Sequence, residues 1–171
     1  MTAQLVRPDV AYKDSFVDAI REFHAEKLWH YADMDVDQFA RDVEDYIRDM
    51  SLREHTVPEG WVTETVMWWV DERGFIGRIS FRHHLNEKLR VFGGHIGYEV
   101  RPSRRNEGHG TAMLNAMLPI ARARGLDKVM LTCDTTNLGS QKIIRANGGE
   151  LEDIVQTDFR PTPTMRWWIT L

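Results

Sequence analysis

The chain has a single cysteine, Cys133, among its 171 residues. No internal disulfide can form, so a reducing, cytoplasmic setting is expected. No run approaches the roughly 18 consecutive apolar residues of a spanning helix, so no membrane role is expected. Residues Met1 to Pro8 carry neither an apolar core nor a small-residue cleavage site, and so do not read as a secretion signal. Six Pro and twelve Gly are too few for a low-complexity or collagen-like chain. An excess of one charge is also missing. The net charge of −4 argues against a nucleic-acid-binding module, which needs a basic footprint.

What is present suits one globular domain over 1–171, with 42% hydrophobic and 28% charged residues. Residues 1–60 carry 7 Lys/Arg against 14 Asp/Glu, and the remainder 15 against 12. This reads either as solvated helix faces or as a division in which one half meets a cation and the other an anion. Gln4–Val6 reads as a strand. Helices are predicted over Val10–Trp29 and Asp35–Met50 from apolar spacing near 3.6, and Arg53–Gly60 reads as a loop. The period then changes. Thr65–Val70 and Phe75–Leu85 form an expected hairpin about Asp71–Gly74, followed by a polar connection at Asn86–Arg90 and a Gly-rich strand over Val91–Val100.

A helix over Gly108–Arg124, kinked by Pro119, leads to a strand at Lys128–Thr132. A helix over Asn137–Ala146 and strands at Leu151–Val155 and Met165–Thr170 complete the chain. The order indicates an α/β or α+β fold with helices on both faces of a mixed sheet.

The chemistry-bearing run is Gly97 to Thr111. A strand ends at Val100, Pro102 breaks it, and a Gly-containing loop opens a helix. Such a helix N-terminus presents unpaired N–H groups at the positive end of the dipole, an anion site suited to phosphate. Gly108 and Gly110 would let a diphosphate approach the main chain, and Arg101, Arg104 and Arg105 would add positive charge. The alternative is a Gly-rich turn with surface arginines. A nucleoside-triphosphate loop would need Gly-Lys-Ser/Thr at the helix start, and a dinucleotide fingerprint would need Gly-x-Gly-x-x-Gly; neither is present.

Arg105-Asn106-Glu107-Gly108-His109-Gly110 after Val100-Arg101-Pro102 resembles the acetyl-CoA signature, Arg/Gln-x-x-Gly-x-Gly/Ala, of the GCN5-related N-acetyltransferases (GNAT). A second block follows, with Asn137 and Ser140 opening a helix that ends at Asn147-Gly148-Gly149. The resemblance covers roughly residues 75–155, and Arg82-His83, Asn86, Gly93 to Tyr98 and Cys133-Asp134 look like a bacterial branch of predicted acetyltransferases. It implies a mostly antiparallel sheet with a V-shaped splay between the strands at 91–100 and 128–132, where acetyl-CoA lies. Tyr98 to Val100 would hold the pantetheine arm, and backbone N–H groups of Arg105, Asn106, Glu107, Gly108, His109, Gly110 and Thr111 the diphosphate. Asn137 and Ser140 would line the opposite wall. The sequence departs from the family at Ile144, where many members have a tyrosine suited to protonating the leaving thiolate, and at Glu107, where a basic residue is common.

The implied reaction is direct attack of a primary amine on the thioester in a ternary complex, with acetyl-CoA as cosubstrate. The amine must lose a proton first, since an alkylammonium has a pKa near 10. His95 and Glu99 fall on one face of the 91–100 strand by alternation and are the candidate bases. His95 reads equally well as a structural histidine. Histidines 83 and 84 point to opposite faces, and 24 and 30 lack ligand spacing, so no metal is assigned. Cys133 reads as a packed thiol. Acidic residues from Asp33 to Asp49 suggest a rim for a cationic acceptor, such as a polyamine or a lysine side chain. A homodimer is compatible with a strand-rich C-terminus. The competing reading is a non-catalytic acyl-CoA-binding module on the same fold.

Overall fold

The computed structural model describes residues 2–28, 30–158 and 160–171. Its elements run β1 (Gln4–Val6), α1 (Lys13–Ala25), α2 (Val36–Leu52), β2 (Glu64–Asp71), β3 (Gly74–Arg82), α3 (Glu87–Val91), β4 (Ile96–Val100), α4 (His109–Ala123), β5 (Lys128–Asp134), α5 (Leu138–Ala146), β6 (Glu150–Val155) and β7 (Thr164–Thr170). The first predicted helix is cut to α1 by a 3-10 turn at Val10–Tyr12, and its expected end at Trp29 lies outside the described residues. Among the described residues, no helix is long and apolar enough to cross a membrane.

Strand β2 organises the core because both of its faces are buried. Successive side chains on a strand point to opposite faces. Trp68 accordingly packs with Phe16 and Phe75, at ring-centroid distances of 4.5 and 5.1 Å, under α1 and α2. Trp69 packs in the other cluster, with Met113, Met117 and Ala121 of α4. Its indole N–H donates to His109 Nδ1 at 3.2 Å and pins the start of α4. The sheet β1-β2-β3-β4 is antiparallel, with α1 and α2 packed on one face and α4 on the other, as expected for a fold with helices on both faces of its sheet. A second antiparallel sheet, β5-β7-β6, continues the layer.

Between the two sheets, β4 and β5 meet only at one end. The His95 N–H donates to the Met130 carbonyl at 2.7 Å, and the Met130 N–H donates to His95 Nδ1 at 2.9 Å. The Gly93 N–H donates to Thr132 Oγ1 at 2.9 Å. Beyond His95, β4 pairs with β3 and β5 with β7, so the facing edges part.

The expected strand over 91–100 starts later than the sequence suggests. Asn86 accepts from the Leu89 N–H at 2.9 Å and caps α3, and Gly93 (φ 109°) and Gly94 (φ 60°) then turn the chain before Ile96. A Cβ on Gly94 would stand 2.5 Å from the Met130 carbonyl oxygen, so only glycine allows this approach. His95 therefore lies outside the regular strand, and the alternation that paired it with Glu99 does not apply. Pro119 leaves α4 continuous. It sits on the exposed face of the helix, where the carbonyl left without an N–H partner need not be buried.

Gly94→Ala is expected to cost about 2 kcal/mol or more in urea unfolding, through left-handed strain plus the clash with β5. Gly125→Ala, with φ 88° but open space around it, should cost less.

Candidate active site

A cavity of about 630 Å³ opens where β4 and β5 separate. Its walls include Gly97, Tyr98 and Glu99 of β4, Thr132 to Asp134 of β5, and Asn137 and Ser140 at the start of α5. Further wall comes from Arg78, Ser80 and Arg82 of β3, from Glu64 of β2, from α3, from the loop carrying Gly60 and Trp61, and from His30, Arg53 and Arg160.

Glu99 is the best-supported side chain in this cavity. Arg78 stands opposite it in the β3–β4 register and pairs with its Oε1 at 3.0 Å. The Tyr31 hydroxyl donates to Oε1 at 2.5 Å, and His30 Nε2 lies 3.2 Å from Oε2. Arg78 also donates to the Tyr46 hydroxyl at 3.2 Å. Burial works against the charge on Glu99, yet Arg78 and the hydrogen bonds from His30 and Tyr31 outweigh it and lower the carboxyl to about 2. Burial, together with the neighbouring Glu99 charge and hydrogen bond, keeps the Tyr31 phenol protonated. Tyr31 and Arg78 escaped the sequence reading, since only the strand register and the fold of the α1–α2 connection bring them to Glu99.

His95 is placed differently. It is 7% exposed, lies outside the cavity lining and uses Nδ1 to accept from Met130. Burial, aided by the charges of Arg90 and Arg82, lowers its ring to about 4. A neutral imidazole that holds two strands together is its structural role here.

The loop into α4 has the shape expected of an anion cradle. Asn106 (φ 63°) and Gly108 (φ 83°) are left-handed, a conformation that can turn successive N–H groups to one side. The opening turn of α4 adds the N–H groups of His109, Gly110 and Thr111. Open space surrounds the missing Cβ of Gly108. Gly110 is different, because a Cβ there would meet Ile143 Cδ1 at 2.5 Å; this glycine lets α5 dock on α4.

The three arginines expected at the loop entrance are already paired. Arg101 bonds Glu22, Arg104 bonds Asp71 and Glu107, and Arg105 bonds Glu26. Arg105 Nε also donates to the Val100 carbonyl at 3.1 Å. Glu107 thus serves as a brace for Arg104 and lies 3.2 Å from His109. The loop offers its main chain more than its side chains.

On the opposite wall, Asn137 caps α5 by accepting from the Ser140 N–H at 3.0 Å. Ser140 Oγ lies 2.8 Å from the Tyr98 hydroxyl. Ile144 is fully buried in the core, so the wall has no phenol at that position. Cys133 lines the cavity, and burial raises its thiol so that it stays protonated. None of the acidic residues from Asp33 to Asp49 lines the cavity.

Two outcomes are expected in urea titrations. His95, lowered to about 4, stays neutral in the fold while the unfolded chain takes up a proton near 6.5, so stability falls as pH drops between these values. His95→Asn, which keeps an acceptor for Met130, should flatten that slope. Glu99→Gln leaves Arg78 without its counter-charge and should cost about 3 kcal/mol at neutral pH. It should also remove the stability that the wild type loses as pH falls from about 4.5 towards 2.

Comparison with known proteins adds a family and a set of folds. The family model for an acetyltransferase (GNAT) domain matches residues 12–150. Among solved structures, the microcin C7 self-immunity acetyltransferase MccE, crystallised with acetyl-CoA and AMP, superposes with a TM-score of 0.73 at 14% identity, covering 99% of this chain and 92% of that one. The acetyl transferase from Salmonella typhimurium that modifies the N-terminal serine of ribosomal protein L7/L12 gives 0.71 at 14% identity, covering 100% and 96%. A ribosomal-protein-alanine N-acetyltransferase from Brucella melitensis gives 0.65 at 18%, covering 98% and 99%. At these identities the likeness is one of fold. A search of curated protein sequences returns no match.

Proposed function

The chain belongs to the GNAT acetyltransferase family, and from that premise we propose that residues 1–171 act as one domain that moves an acetyl group from acetyl-CoA to a primary amine by direct attack in a ternary complex. The observation that carries this reading is the cavity between β4 and β5, which has Glu99 in its wall and lies between strands joined by α4.

The residues present fit acetyl-CoA. The N–H groups between Arg105 and Thr111 take the diphosphate, with Gly108 leaving room for it. The β4 edge from Tyr98 to Val100, which has no strand partner on the cavity side among the described residues, receives the pantetheine arm and orients the thioester carbonyl. Asn137 and Ser140 border the other side of the arm. Bound there, the cofactor supplies the electrophilic acetyl group.

Glu99 works at the acceptor end. Its carboxyl, at about 2, is ionised at every working pH, so it holds the incoming amine and the water that carries the amine's proton away. His30, beside it in the cavity wall, extends this hydrogen-bonded route. The thiolate departs without a tyrosine at position 144; a thiol of pKa near 8.5 is a tolerable leaving group, and the Ser140 hydroxyl is a donor that the wall offers. The acidic run near α2, which suggested a cationic acceptor, stands outside this cavity and supports no such preference.

Release of free CoA thiol from acetyl-CoA should depend on an added amine, with Cys133→Ser controlling for background thiol. Glu99→Gln should lower kcat about a hundredfold with acetyl-CoA affinity unchanged. Gly108→Val should instead weaken acetyl-CoA binding about tenfold or more by calorimetry, since its φ of 83° strains a branched residue. Acetyl-CoA binding without turnover on any amine would favour the binding-module reading.

A further inference from the structure

The charges lining the cavity do not balance. Five cationic side chains stand against three carboxylates. Each carboxylate has its own arginine: Glu64 with Arg53 at 2.9 Å, Glu99 with Arg78 at 3.0 Å, and Asp134 with Arg160 at 2.6 Å. Arg82 and Lys88 have no carboxylate partner among the described residues.

Arg82 is partly buried at the end of β3. Its Nη1 donates to the carbonyls of Gly93 and Gly94 at 3.0 and 3.1 Å, which fixes the guanidinium without neutralising it. Its register partner across the sheet, Glu64, is the carboxylate already held by Arg53. The absence of a side chain at Gly97 leaves the guanidinium uncovered, since a Cβ there would stand 3.6 Å from Arg82 Nη2. Lys88, exposed on α3, also lines the cavity, and α3 leads into the Gly93 and Gly94 that Arg82 holds.

These cations are poorly placed for the cofactor's phosphates. The phosphate-binding loop follows the C-terminal end of β4, whereas Arg82 and α3 belong to the other end. Five residues of strand separate the two ends by about 16 Å. Glu64 reaches Arg82 only through its field and forms no salt bridge with it; a half-buried guanidinium so placed is costly, and an anion arriving with the substrate offsets that cost through charge-assisted hydrogen bonds.

We infer that the acceptor is a small amine that also carries an oxyanion, a carboxylate or a phosphate, which Arg82 and Lys88 receive while Glu99 holds the amine. Gly97 and Glu99 are two residues apart on one face of β4, a spacing of about 7 Å, which one small molecule can bridge. The inference rests on the acetyl-transfer reading above for the amine's role, while the anion site can be measured by binding alone.

Calorimetry on the CoA-loaded protein, run beside the thiol-release assay, tests it with matched probes. Glycine, serine and glutamate are compared with their carboxamides, phosphoethanolamine with ethanolamine, and spermidine serves as the cationic comparator. In at least one pair the acidic member should bind about tenfold tighter than its twin that lacks the anion. Which pair shows the preference assigns carboxylate or phosphate. Lys88→Gln, a surface change that leaves folding intact, should erase that preference without altering the Kd of the twin that lacks the anion, and Arg82→Gln should erase it as well. Equal binding within every pair, or tightest binding of spermidine, would overturn the inference even if acetyl transfer is observed. An acid preference without transfer to any amine would uphold the anion site and sink the transfer reading.

Discussion

The reciprocal pair of hydrogen bonds between His95 and Met130 is the constraint on which the site depends. It ties two antiparallel sheets together at one point, with the His95 ring standing in for a backbone carbonyl as the acceptor. Past that point the strands have different partners and diverge, so the cavity is a consequence of where pairing stops. Gly93 and Gly94 make the junction possible. Their left-handed φ values reverse the chain after α3, and the missing Cβ of Gly94 admits the Met130 carbonyl. A histidine so used has its Nδ1 engaged as an acceptor, and burial with the charges of Arg90 and Arg82 lowers its ring so that it stays neutral.

Around this opening, the fold separates two kinds of electrostatics. At the turn into α4, side-chain charges cancel: Arg101, Arg104 and Arg105 meet Glu22, Asp71, Glu107 and Glu26. What remains there is the field of oriented N–H groups at the start of α4, which needs no mobile side chain to grip an anion. In the cavity wall, a carboxylate sits among Arg78, Tyr31 and His30, and Arg82 of β3, an arginine without a salt bridge, faces Gly97, two residues from Glu99 along β4. Both groups are held by polar partners before any ligand arrives, so little reorganisation is left for the reaction itself.

Much of the architecture was legible because periodicity reports burial. The apolar spacing in α1 and α2, the change to alternation at β2, and the stops at Gly125 and Asn147-Gly148-Gly149 all correspond to elements that form within a few residues of expectation. The turn into α4 was legible for a related reason: glycine in a left-handed turn before a helix is a local device, visible without neighbours. The strand over 91–100 was misread at its start. Val91 and Phe92 fit a strand pattern, while the competing signal, Asn86 capping a short helix, becomes decisive only when Gly93 and Gly94 dock against β5.

The amino-acid sequence by itself determined the element order, the glycine turn that opens α4, and the lack of a tyrosine at position 144, since these depend on residues close together in the chain. Tertiary structure alone decided the partners of Glu99, the diversion of His95 to a structural duty, the neutralisation of the loop arginines, and the uncompensated charge of Arg82. Each of these hangs on a neighbour supplied by another strand or helix. Glu99 and Tyr31 are 68 residues apart. Arg101 and Glu22 are 79 apart. The charge state of a side chain is set by what surrounds it in space, and no local pattern encodes those surroundings.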